Sequence, residues 1–143
     1  MITSIMIYNE SGLLVYDMRF ARCELNSELI SAFVHAINQF GYQLFPNNVL
    51  CDIVFTSNHL FIEHREVSGR KITFLVIHDM FDDQKEILSI VDAMHAEVQR
   101  KRSKDISEAP IAPSKLAPLT GFLVRLLGKL KRKETPYACS IDL

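Results

Sequence analysis

Apolar runs alternate with short polar breaks along the chain, and this pattern predicts five strands. Ile2–Tyr8 and Leu13–Phe20 are joined by the turn Asn9–Gly12, which predicts a β-hairpin. Three more strands are predicted at Val49–Thr56, His59–Val67 and Lys71–Asp79. Within the last of them, Ile72–Ile77 is apolar on both sides. Such a strand lies at the centre of a sheet that is covered on both faces, so the sequence predicts helices on each side.

Helical spacing of apolar residues predicts a first helix that Asn26 or Ser27 caps and that runs to about Phe40, with Gly41 as its expected end. One face of this helix is apolar and the other is polar. The apolar set is Leu29, Ile30, Phe33, Val34, Ile37 and Phe40, and the polar set is Ser31, His35, Asn38 and Gln39. A second helix is predicted over Asp83–Arg102, opened by a sequence that resembles a capping box.

The C-terminal part has a different composition. Residues 104–118 contain three prolines and are predicted to be a linker, residues 119–133 form a basic amphipathic helix, and residues 134–143 are expected to be flexible. On that helix the apolar residues are Phe122, Leu123, Leu126, Leu127 and Leu130, and the basic ones are Arg125, Lys129, Lys131 and Arg132. Two roles fit this pattern: docking on the protein's own sheet, or binding an anionic membrane surface.

These elements predict an α/β (α+β) domain with a five-stranded antiparallel sheet and helices on both faces, in the order β-β-α-β-β-β-α-linker-α. From Ile2 to residue 103 this order resembles the longin branch of the longin/roadblock superfamily. The resemblance implies a non-enzymatic module that pairs with itself or with another longin or roadblock chain. It also implies a role as a scaffold or regulator for a small Ras-like GTPase or a trafficking-type complex.

The first helix carries a candidate partner interface. Glu28 is its only charged residue up to Phe40, and interface cores are depleted in charge. The predicted contact residues on its polar face are Ser31, His35, Asn38 and Gln39. The resemblance adds the neighbouring edge strand, with Val49, Cys51 and Ile53. The alternative is a solvated polar face with no partner.

Charge is unevenly distributed along the chain. The formal net charge is −1, but residues 1–99 carry 6 Lys/Arg against 13 Asp/Glu and residues 100–143 carry 10 against 4. The acidic body is unsuited to nucleic acid, whose phosphates it would repel. Three widely spaced cysteines argue against a disulfide framework, and no apolar run approaches the length of a membrane span. We therefore expect a cytoplasmic protein, peripheral to a membrane if the basic helix binds one.

Catalytic motifs are not evident in the sequence. It contains neither a phosphate-binding loop nor a nucleophile elbow, so we expect no catalytic residues and no cofactor. Asp79, Asp82 and Asp83 form an acidic cluster that could hold a divalent cation. Capping of the second helix by Asp83 explains the cluster more simply, so no metal site is predicted.

Overall fold

The structure is a computed structural model that describes residues 1–20, 26–101, 117–130 and 132. Its elements in chain order are β1 (Ile2–Tyr8), β2 (Leu14–Arg19), α1 (Ser27–Leu44), β3 (Asp52–Val54), β4 (Asn58–Val67), β5 (Arg70–Asp79), α2 (Gln84–Lys101) and α3 (Ala117–Lys129). The predicted linker before residue 117 and the predicted flexible segment at residues 134–143 lie outside the described residues.

The five strands form one antiparallel sheet in the order β2-β1-β5-β4-β3. This confirms the predicted α+β fold and its element order. Strand β5 lies between β1 and β4, and nearly all of its Ile72–Ile77 segment is buried, as the two-sided apolar pattern predicts. The edge strands of the sheet are β2 and β3.

Side chains alternate between the two faces of the sheet and form two separate cores. The larger core lies between the sheet and helices α2 and α3, and it includes Ile5, Phe74, Val76, Ile90, Met94 and Leu123. The smaller core lies on the opposite face, beneath α1, and consists of Met6, Tyr8, Leu60, Ile62, Leu75 and Ile77. Helices therefore cover both faces of the sheet, as expected.

Some element boundaries differ from the prediction. Helix α1 continues through Gly41 to Leu44, because the Phe45 N–H bonds to the Gly41 carbonyl and closes one more turn. Strand β3 is shorter than the predicted Val49–Thr56. The Leu50 N–H bonds to a side chain of α1, so the first part of that segment is drawn away from a regular ladder.

The ends of α2 and α3 follow ordinary capping rules. The Lys85 N–H donates to the Asp83 carboxylate at 3.0 Å, so Asp83 caps α2 as predicted. Helix α3 begins two residues before the predicted start and ends four residues before the predicted end. Pro118 lies in its first turn, where the missing N–H leaves no intrahelical bond unmade.

Candidate protein interface

Helix α1 is attached to the rest of the fold largely by polar contacts. The Tyr8 hydroxyl donates to the Ser27 carbonyl at 3.0 Å, and the Ser31 hydroxyl donates to the Gly12 carbonyl at 2.8 Å. Near the other end of the helix, the Leu50 N–H donates to the Asn38 side-chain oxygen at 2.9 Å. These three bonds turn the face that carries Ser31 and Asn38 toward the sheet.

As a consequence, the apolar residues of α1 face outward. No residue of α1 is buried: Leu29 is 68% exposed, Phe40 62% and Phe33 42%. We call the exposed apolar row along this helix the α1 stripe. It consists of Leu29, Phe33, Ile37, Phe40 and Leu44. Only Ile30 and Val34 among the predicted apolar face pack on the smaller core.

This orientation separates the predicted interface residues of α1 into two groups. Ser31 and Asn38 bond within the chain, whereas His35 and Gln39 are exposed. The stripe itself was not expected to be exposed, because an apolar row normally marks the buried side of a helix. The sequence does indicate this orientation in one way: the helix carries a second row, of small or polar residues at helical spacing, that can face the sheet. That row is Ser27, Ser31, Asn38 and Gly41.

The neighbouring edge strand offers further exposed apolar groups. Val49 and Cys51 of the predicted interface are exposed, but Ile53 packs against the smaller core. Val54 and Phe55, which sequence patterning did not single out, are more than half exposed. Because β3 is an edge strand, one of its sides faces away from β4.

A cavity of about 220 Å³ lies between α1 and the sheet. Tyr8, Val34, Asn38, His64 and Leu75 are among its lining residues. The His64 Nδ1 lies 3.1 Å from the Thr73 hydroxyl, and burial lowers the pKa of His64, so its ring is neutral at pH 7. Burial also raises the pKa of Tyr8 well above its ordinary value. The space beneath α1 is therefore lined by apolar and neutral groups, and also by the charged Glu10 and Lys71.

Helix α3 docks on the sheet through its apolar side. Leu123 and Leu127 are buried in the larger core, and Phe122 and Leu126 pack against it. The exposed residues of the predicted docking or membrane helix are Arg125, Lys129 and Leu130, and Lys131 lies outside the described residues. In this arrangement the apolar side of α3 contacts the protein's own core.

Two polar contacts hold the ends of α3. Near its start, the Thr120 hydroxyl lies 2.9 Å from the Tyr16 hydroxyl, and burial raises the pKa of Tyr16 to about 12. Past its end, Arg132 pairs with Asp82 at 2.6 Å and with Glu86 at 2.8 Å. The Arg132 and Asp82 side chains are only 9% and 7% exposed, so this pair is largely removed from water.

The acidic cluster before α2 is occupied by these and other contacts within the chain. Asp79 accepts the Phe81 N–H, Asp83 caps α2, and Asp82 pairs with Arg132. Among residues 1–20, 26–101, 117–130 and 132, no group of three or more His, Cys, Asp or Glu side chains could hold a metal ion. Local structure therefore accounts for the carboxylates that the sequence places together.

Comparison with known proteins adds no family: no protein-family model and no curated protein matches the chain. Across the part of the chain that the structure describes, no helix is long and apolar enough to cross a membrane.

Proposed function

We propose that the protein is a non-catalytic interaction module that pairs with a second copy of itself through the α1 stripe. The observation that carries this proposal is the orientation of α1, which points Leu29, Phe33 and Phe40 outward while Ser31 and Asn38 face the sheet. This orientation has a cost for a monomer, because exposed apolar surface forfeits the free energy of burial. When a partner covers the stripe, the free energy of burying these side chains is regained.

The size of the exposed surface supports an interface. The five stripe residues and Phe45, which follows the helix, are each between 38% and 68% exposed. Large apolar side chains offer roughly 150–200 Å² when fully exposed, so the six present on the order of 600 Å². That is at the upper end of the apolar patches found on monomers, about 300–600 Å². It approaches the roughly 800 Å² per partner that a stable interface buries, and Val54 and Phe55 add to it.

A second copy is the occupant that the surface favours. Along its whole length α1 carries one Asp, Glu, Lys or Arg residue, namely Glu28, so two copies of the helix can meet with little desolvation of charge. No strand of the described residues pairs with the outer side of β3, and a second β3 can meet that side about a two-fold axis. The stripe itself carries no charge that a charged partner could bind.

We further propose that the protein acts in the cytoplasm as a longin-like scaffold or regulator of a small Ras-like GTPase or of a trafficking-type assembly. What supports it is the element order β-β-α-β-β-β-α-α, on which the resemblance to longin domains rests. In this role, the pair offers a larger binding surface to the GTPase or assembly than one domain does.

Solution mass tests the pairing. Phe33→Ser and Ile37→Ser remove apolar groups from the stripe, and Gln39→Ser is the matched control on the exposed side of the same helix. We expect each stripe variant to halve the mass seen for the parent chain and the control to keep it. A parent chain that is monomeric, or stripe variants that pair as tightly as the control, would overturn the proposal.

The GTPase role needs a separate test. The full chain is immobilised and exposed to cell extract loaded with GDP or with a non-hydrolysable GTP analogue, and bound proteins are identified by mass spectrometry. We expect a Ras-like GTPase, retained in a nucleotide-dependent way by the parent chain and the Gln39→Ser control. Retention of no GTPase under either condition would count against this role and leave the pairing unaffected.

A further inference from the structure

We infer that α1 has a second orientation, in which it rolls about its own axis and places the stripe on the sheet when no partner covers it. This inference rests on the proposed function, because it concerns how the same surface is regulated. Three independent features of α1 support it: the spacing of its two rows, the cavity beneath it and the polar bonds that hold it.

The two rows are offset by one residue. Leu29, Phe33, Ile37 and Phe40 immediately precede Ile30, Val34, Asn38 and Gly41, which are four of the six half-buried positions of the helix. Successive residues of an α-helix are about 100° apart around its axis. A roll of that size therefore carries each of these four stripe residues to the position that its neighbour holds now. No change in helix length or direction is needed.

The cavity supplies room for larger side chains. About 220 Å³ lies beneath α1, in a cavity that is partly open to solvent. An engineered cavity of about 150 Å³ holds a benzene ring, so the space under α1 can accept the ring of Phe33. Part of its lining is apolar, from Val34, Leu50 and Leu75.

Among the described residues, the side-chain bonds that hold the present orientation of α1 are few. They are the contacts of Ser27 with Tyr8, of Ser31 with Gly12 and of Asn38 with Leu50. Water that enters the cavity can replace these partners when the helix rolls. The roll also carries Val34 from the smaller core to the exposed place of His35. The two orientations thus trade three hydrogen bonds and the packing of Val34 against burial of the stripe, and a partner that binds only the outward orientation favours it.

A tryptophan reporter tests the roll. The chain contains no tryptophan, so Phe33→Trp introduces one fluorophore on the stripe and Gln39→Trp introduces one at an exposed position. After the roll Gln39 takes the present place of Phe40, so position 39 stays exposed in both orientations. Quenching by acrylamide is measured on monomer, at a dilution where sedimentation gives a single mass of 16.4 kDa. If the chain pairs even when dilute, Phe45→Asp is added to both reporters, because Phe45 lies past the end of α1.

We expect the monomeric Phe33→Trp reporter to be quenched several-fold less than the Gln39→Trp reporter and to emit at shorter wavelength. Asn38→Ala removes one bond of the outward orientation. It is expected to shield the stripe reporter further and to weaken pairing, although Asn38 faces away from the stripe.

Equal quenching of the two reporters in the monomer, with or without Asn38→Ala, would overturn the inference. Should Phe33→Trp not fold, Ile37→Trp serves as the stripe reporter. A helix that fails to roll can still pair, and one that rolls can fail to pair, so the two proposals are judged separately.

Discussion

The side-chain oxygen of Asn38 accepts the backbone N–H of Leu50 at 2.9 Å, and so ties the second half of α1 to the segment that leads into β3. Leu50 is half-buried and lines the cavity under α1. The bond therefore sets both the orientation of the helix and the place where the edge strand begins.

Removing this acceptor should destabilise the fold moderately. We expect Asn38→Ala to lower the free energy of unfolding by about 1–2 kcal/mol, because a partly buried donor is left without its partner. Gln39→Ala, one residue further along and exposed, should change it by less than about 0.5 kcal/mol. Urea unfolding followed by circular dichroism measures both. Equal values for the two variants would show that the Leu50 bond contributes nothing.

The docking of α3 is tested by truncating its buried side. Leu123→Ala removes a fully buried side chain from the larger core and should cost about 2–5 kcal/mol. Val124→Ala, at the next and exposed position, should cost less than about 0.5 kcal/mol. Thermal unfolding of the full chain compares them. Similar melting temperatures for the two would mean that α3 leaves the sheet in solution, as a membrane-binding helix would.

The ion pairs of Arg132 should fasten the end of α3. Arg132→Met keeps the length of the side chain but removes the pairs with Asp82 and Glu86, so that the almost buried Asp82 keeps the N-terminal ammonium of Met1 but loses its arginine. We expect a loss of about 1–3 kcal/mol and faster amide exchange in the last turn of α3. Lys129→Met removes an exposed charge from the same helix and is the control. Unchanged exchange in the Arg132→Met variant would contradict the role of this arginine.

Protonation of His64 at acidic pH should lower the free energy of unfolding. Burial lowers the pKa of His64 below its ordinary value of 6.5, so the unfolded chain takes up this proton more readily than the folded chain does. The contribution of neutral His64 is complete above pH 6.5 and is lost as the pH falls through its folded pKa. We expect the free energy of unfolding to decrease as the pH falls below 6.5, and His64→Gln to flatten that decrease. The exposed His35→Gln is the control, and an identical slope in both variants would contradict the assignment.

The sheet could be predicted because its strands differ clearly in pattern. Ile72–Ile77 is apolar on both sides and became the buried part of β5, and Asn26 caps α1 through the Glu28 and Leu29 N–H groups. Such features depend on local sequence and on burial alone. The end of α1 was harder to predict, because a glycine such as Gly41 can lie inside a helix as well as at its end.

The orientation of α1 could not be predicted from periodicity. A periodic pattern indicates the buried side only if the most apolar row of a helix faces the core, and α1 departs from that rule because Ser31 and Asn38 find specific backbone partners. Those partners, Gly12 and Leu50, are 19 and 12 residues away in sequence, and no local pattern indicates them. A helix that breaks the rule in this way is expected where a surface has a partner to meet.

Sedimentation equilibrium of the unmodified full chain through the micromolar range tests the central claim most directly, because pairing through the α1 stripe must double the molecular mass. We predict a concentration-dependent rise from 16.4 kDa to twice that value, without larger species. A mass that stays at 16.4 kDa throughout the range would contradict the pairing.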